Sequence, residues 1–168
     1  RLGHRLFFDQ RLSPSGEVSC ATCHQPEKHF SDGLQRGTGV GEAKRHTPTI
    51  VGAQRGEWFF WDGRSDVLWG QPIQTFEHPD EMNVDRVHIA KTIESSAELT
   101  QLWTSAFGSL PDLTKYPMHA KPTNQYSKEW NKLSESQKTT VNKLSSNVAK
   151  AVAAYITSLD ATDAPFDA

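Results

Sequence analysis

The sequence predicts an all-α domain with long irregular loops, and three observations carry that expectation. Apolar residues recur at helical spacing near the start, the middle and the end of the chain. No segment alternates apolar and polar residues as a half-buried strand does. Long stretches between the periodic ones are punctuated by Gly and Pro. The 168 residues fit one domain, read as 1–168, with room for a modest core around a ligand.

Each element follows in order. Leu2, Leu6 and Phe7 mark a short amphipathic helix over 2–9, which Ser13-Pro14-Ser15-Gly16 ends in a turn. From Gln25 to Gly56 no period is sustained, and six glycines interrupt a largely polar run. So long an irregular segment in a compact domain is expected to wrap something. Val84, Val87 and Ile93, then Leu99, Leu102, Trp103 and Phe107, predict two helices split near Ser95-Ser96, the second closed by Gly108. Pro111, Pro117 and Pro122 make 109–136 a surface excursion. Val141, Leu144, Val148, Val152, Tyr155 and Leu159 form one stripe of a final helix over 135–159. There are no internal repeats.

Composition narrows the function. A net charge of -2 offers no basic footprint for nucleic acid or an anionic membrane. No apolar run approaches the roughly 20 residues that a spanning helix needs. Gly37-Thr38-Gly39-Val40-Gly41 follows no strand and opens no helix, so a nucleotide cradle is discounted.

The two cysteines stand three apart, which excludes a long-range disulfide framework and gives the pair a local task. Cys20-Ala21-Thr22-Cys23-His24 supplies two thiols that can add across the vinyl groups of a haem and an imidazole that reaches its iron. A zinc site needs four donors, and no second Cys pair or close His pair completes one. A thioredoxin-like pair lacks its βαβ setting and does not explain the adjacent His. The motif therefore predicts one covalent haem c held by Cys20, Cys23 and His24, the last as proximal iron ligand. Thioether attachment in bacteria occurs outside the inner membrane, so a periplasmic or extracellular location is expected, with the signal peptide outside this chain. Met82 follows His24 at about the separation used by small electron-transfer cytochromes for their second ligand, so a mono-haem carrier with Met82 or a His as sixth ligand is one reading. A gas or redox sensor is a third, without a feature of its own.

Five ordered blocks point elsewhere. Leu2-Gly3-His4-Arg5-Leu6-Phe7-Phe8-Asp9, Ser19-Cys20-Ala21-Thr22-Cys23-His24, Phe30-Ser31-Asp32-Gly33, Arg45-His46-Thr47-Pro48-Thr49 and Phe60-Trp61-Asp62-Gly63-Arg64 resemble, in that order, the amino-terminal half of bacterial di-haem cytochrome c peroxidases and their methylamine-utilisation relatives. Ala154-Tyr155 and Pro165-Phe166-Asp167 resemble that half's closing helix and exit. The resemblance implies a cytochrome c-like helical domain and a peroxidase-type oxidoreductase. Its partners would be hydrogen peroxide and a small electron-donor protein (a cytochrome c or copper protein) or a second haem domain. No second Cys-x-x-Cys-His follows, so the family's second haem domain is absent from these residues.

The resemblance also assigns residues. Gln71 and Glu81, ten and twenty positions after Trp61, fall where the family sets a Gln and a Glu over the open haem face. Splitting peroxide requires a proton to pass from one oxygen to the other, which a positioned carboxylate can do. The plain alternatives are a solvated Gln71 after Gly70 and a Glu81 that serves a helix N-terminus. Trp61 matches an electron-relaying Trp, against simple packing. Arg64 reads as a structural or haem-propionate partner, and Asp62 as the holder of its turn.

Departures matter as much. Where many members place an iron-capping loop His this chain has Thr38, which implies an iron open to peroxide; His29 and His46 are the nearest substitutes. His46 stands where the family has a calcium-binding Asn, and imidazole suits that hard ion poorly, so calcium is disfavoured. Thr75 replaces a Pro beside the distal pocket. His4, His78, His88 and His119 have no motif support and read as surface or packed residues.

Overall fold

A computed structural model describes residues 1–161. Among the described residues there are seven α-helices, α1 (Leu2–Phe7), α2 (Cys20–Cys23), α3 (Gly70–Glu77), α4 (Arg86–Glu94), α5 (Ala97–Phe107), α6 (Ser127–Lys132) and α7 (Glu135–Thr157), besides four short 3-10 turns. Among the described residues the only β-type pairings are isolated bridges at Gln25 with Ser31, Thr38 with Glu42 and Phe59 with Ser65. The domain is all-α, as the periodicity predicts. Pro165-Phe166-Asp167 lies outside the described residues.

Helix α7 organises the packing. Its start is fixed by a reciprocal cap: Ser134 Oγ accepts from the Gln137 amide at 3.2 Å, and Gln137 Oε1 accepts from the Ser134 amide at 2.9 Å. Val141, Leu144, Val148, Val152 and Ile156 are all buried along one face. Helices α1, α3 and α4 pack against α7, and α5 packs on α4 and α1. Closest is α1, because a Cβ on Gly3 would stand 1.8 Å from the Ala151 carbonyl oxygen; only a glycine lets the two backbones meet. Leu6, Phe7, Leu12, Phe76, Ile89, Ile93, Leu99 and Trp103 fill the core between these helices.

Two elements differ from the sequence expectation. No helix is expected over 70–77, yet Gly70 and Pro72 open α3, where the first-turn amides have no intrahelical partner and the missing N–H of proline costs nothing. The 109–136 segment is not wholly on the surface. It buries Leu113 in the main core, carries α6, and packs Ala120, Trp130 and Leu133 against Val87 and Val141 as a second small core. Proline-rich loop composition hides these separated apolar anchors, each of which packs on a helix distant in sequence.

Candidate functional site

The Cys20–Cys23 helix is a single turn closed by a capping box, with the Ser19 amide donating to Thr22 Oγ1 at 2.9 Å. It presents both cysteines, unpaired, together with His24 to a cavity of about 1000 Å³. That volume is at the top of the range for ligand pockets, roughly 300–1,000 Å³. Burial pushes the Cys20 thiol up to about 12 and raises Cys23 as well, with Asp32 adding to the latter, so both remain protonated thiols at neutral pH.

His24 is built as a ligand. Its Nδ1–H donates to the Phe30 carbonyl at 3.0 Å, which leaves Nε2 with the free lone pair. Burial lowers its pKa, so the ring is neutral and able to bind a metal. The carbonyl that orients it belongs to a strained turn: His29 and Phe30 both adopt left-handed backbone, at φ 54° and 57°. Two sequence blocks lock that turn. Ser31 Oγ donates to the Thr47 carbonyl at 2.7 Å, Thr47 Oγ1 donates to buried Asp32 at 2.8 Å, and Thr49 Oγ1 donates to the His29 carbonyl. The Phe30–Gly33 and Arg45–Thr49 motifs thus hold the His24 side of the cavity. Phe7 from α1, with ring centroids 6.4 Å from His24 and 5.1 Å from Tyr155, links this wall to α7.

Gln71, Thr75, His78, Glu81 and Met82 line the same cavity. Gln71 and Thr75 are one turn apart on α3, and Gln71 Nε2 donates to Thr75 Oγ1 at 3.1 Å. Glu81 lies in the connection between α3 and α4, not at a helix N-terminus. The glycine loop fastens it: the Val40 amide donates to the Glu81 carbonyl at 2.8 Å and the Gly41 amide to the Asp80 carbonyl at 2.9 Å. A Cβ on Gly39 would stand 2.4 Å from the Glu81 oxygen, so the close approach requires glycine there. Met82, buried in the core, borders the cavity as well.

His78 is the residue that motif reading passes over. It lines the cavity, and its Nδ1 is 3.8 Å from the Glu81 carboxylate. The signal is its position three residues before Glu81, which one turn of chain brings alongside. His46 also borders the cavity, its ring 4.7 Å from that of Trp61, while exposed Thr38 turns its carbonyl to the Cys23 sulfur at 3.4 Å. His29 is exposed and outside the lining.

The mouth is aromatic. Trp58 and Trp61 are 67% and 56% exposed, and the Trp61 indole donates to the His46 carbonyl at 3.1 Å. Arg64 stacks 3.4 Å above the Phe60 ring, donates to Asp62 Oδ1 at 2.8 Å and to Gln74 Oε1 at 3.0 Å, and also faces the cavity. Its hydrogen bond holds the Asp62 carboxyl below its usual pKa. Phe60 and Gly63 both take left-handed backbone in this tight turn.

A cavity bordered by two thiols and a neutral, tautomer-fixed imidazole fits a covalently attached haem. The sequence profile described as di-haem cytochrome c peroxidase matches residues 1–168. The chain belongs to that family. Methylamine utilization protein MauG of Methylorubrum extorquens is 44% identical over 110 residues, covering 64% of this chain and 31% of that protein. Cytochrome-c peroxidase IdrP2 of Pseudomonas sp. strain SCT is 32% identical over 168 residues, covering 99% of this chain and 38% of its own length. The chain therefore spans about a third to two-fifths of these relatives. Among solved structures, the diheme peroxidase BthA from Burkholderia thailandensis shares the fold with a TM-score of 0.69 at 23% identity, over 94% of this chain and 37% of that one. A MauG-like protein associated with microbial copper homeostasis gives a TM-score of 0.69 at 22% identity, over 99% and 41%. Haem c is the cofactor that membership in this family implies.

Proposed function

We propose that this chain is the peroxide-reducing haem domain of a periplasmic di-haem-type peroxidase. Cys20 and Cys23 would hold the haem as thioethers, and His24 would bind its iron through the Nε2 that its hydrogen bond to Phe30 leaves free. When bound, the haem supplies the electrons that break the peroxide bond; two electrons and two protons convert hydrogen peroxide to two waters. The observation that carries the reading is that Gln71 and Glu81 border the same cavity as the attachment motif.

The chain's own residues then have separate tasks. Glu81 accepts the proton of one peroxide oxygen and delivers it to the other, which becomes a water rather than a hydroxide. Gln71, oriented by Thr75, donates a hydrogen bond to the substrate. His78 lies close enough to the Glu81 carboxylate to bias its orientation. Electrons enter from a small donor protein or from a second haem domain outside these residues, across the rim formed by Trp58 and Trp61. Their exposed indoles suit a docked partner, because a large apolar side chain left in water at a cavity mouth gains most by being covered. Among the described residues no helix is long and apolar enough to cross a membrane.

Stopped-flow mixing with hydrogen peroxide tests the central assignment. Glu81→Gln keeps the size of the side chain and removes the titratable proton. It should slow peroxide cleavage by about 100- to 10,000-fold with little change in haem content or resting spectrum. Equal rates would remove Glu81 from the reaction. They would also favour the second reading, an electron carrier with Met82 on the iron, which rests on Met82 bordering the same cavity.

A further inference from the structure

Away from the haem cavity, three metal-ligating side chains converge where α4 begins. One candidate ligand atom from each of Asp85, His88 and His119 lies within 4.8 Å of the others. None of the three lines the haem cavity. The Asp85 side chain is fully buried and is satisfied on one oxygen only by backbone: Oδ1 accepts the His88 and Ala120 amides, both at 2.9 Å. Oδ2 faces His119 Nδ1 at 2.8 Å. Both histidines are half-buried, so an ion can reach them from solvent.

Each imidazole is already oriented. His88 Nε2–H donates to the Arg11 carbonyl at 2.9 Å, which leaves Nδ1 as the nitrogen with its lone pair available. The His119 ring is stacked between His88, at 5.4 Å and 15°, and Tyr126, at 4.8 Å and 15°. The Arg11 carbonyl fixes the tautomer of His88 and stacking fixes the direction of His119, as the outer shell of a metal site does, while His119 Nδ1 gives up the proton it donates to Asp85 when an ion arrives. The 2.8 Å between Asp85 Oδ2 and His119 Nδ1 is a hydrogen bond that would open by about 0.5 Å to reach the roughly 3.3 Å between two ligands about 2 Å from one tetrahedral ion.

We propose that Asp85, His88 and His119 bind one divalent transition-metal ion of the zinc class. Two imidazoles and a carboxylate suit zinc, with water completing the tetrahedron, and suit calcium or magnesium poorly. The ion would tie the segment around His119 to the start of α4, exchanging the proton between Asp85 and His119 for two metal bonds. Its role is structural, and it does not rest on the peroxidase reading.

The test uses the haem-loaded chain, stripped with a chelator and titrated with zinc chloride by calorimetry. One equivalent should bind with micromolar or tighter affinity and raise Tm. His88→Phe and His119→Phe, which keep the stacked rings, should each weaken binding at least about tenfold and abolish the Tm gain. His4→Phe, on an exposed histidine elsewhere, should change neither. If His119→Phe does not fold, His119→Gln, which retains a donor for Asp85, decides the point. No saturable binding in the wild type, or unchanged binding in the His88 and His119 variants, would establish that the cluster is only a hydrogen-bonded clasp.

Discussion

At the scale of single residues, the proposed haem attachment rests on a half-buried turn that keeps its groups in the form the chemistry requires. Thioether formation consumes a thiol, and burial holds both Cys20 and Cys23 as thiols. Iron binding needs a neutral imidazole with a free Nε2, and burial with the Phe30 carbonyl provides both. Cys20→Ser should therefore leave at most one thioether. Denaturing mass spectrometry should show a singly attached or lost haem, and a doubly attached haem in that variant would contradict the assignment. The Glu81 experiment belongs to this scale as well, since it alters one proton on one side chain. His78 bears on it: His78→Asn should change the pH profile of peroxide cleavage if the ring biases the carboxylate 3.8 Å away, and leave the profile unmoved if it only packs.

At the scale of elements, two glycines matter because of where backbones meet. Gly3 allows α1 to rest directly on α7, and α1 carries Phe7 to the wall behind His24. A methyl group at Gly3 must push the helices apart, so Gly3→Ala should cost about 1–3 kcal/mol through overpacking, read as a lower Tm. Gly39 performs the corresponding task for the loop that holds Glu81. Gly39→Ala should leave haem attachment intact while slowing peroxide cleavage by up to about 100-fold, because a small displacement of a reacting group is costly. Slowing that came with lost haem would instead mark the loop as part of the cofactor's support.

At the scale of the whole molecule, the fold sets α7 and its partners as a scaffold, and the cavity is lined by residues of α1, α2, α3 and α7 together with the loops between them. Thr38 is exposed and directs its carbonyl to Cys23, while His46 and His78 border the cavity. With no motif histidine at position 38, the ferric protein should be substantially high-spin near neutral pH. Electron paramagnetic resonance checks this, and a purely low-spin bis-histidine signal would assign the sixth ligand to His46 or His78. The exposed Trp58 and Trp61 carry the molecular-scale consequence: a domain whose cavity mouth is aromatic is suited to work against a partner.

The sequence by itself determined the all-α class, the final helix, the paired helices around Ser95-Ser96, the haem motif and the family, because these are written in local period or in contiguous blocks. The family resemblance also brought Gln71 and Glu81 to notice, although only a folded chain could show that they share a cavity with His24. Tertiary structure decided the rest. Helix α3 was hidden by a Gly and a Pro that a first turn tolerates, and the anchors of 109–136 were hidden because Leu113, Ala120 and Trp130 pack on residues distant along the chain. His78, and the grouping of Asp85, His88 and His119, were illegible for the same reason: a lone histidine takes its meaning from neighbours that only folding supplies.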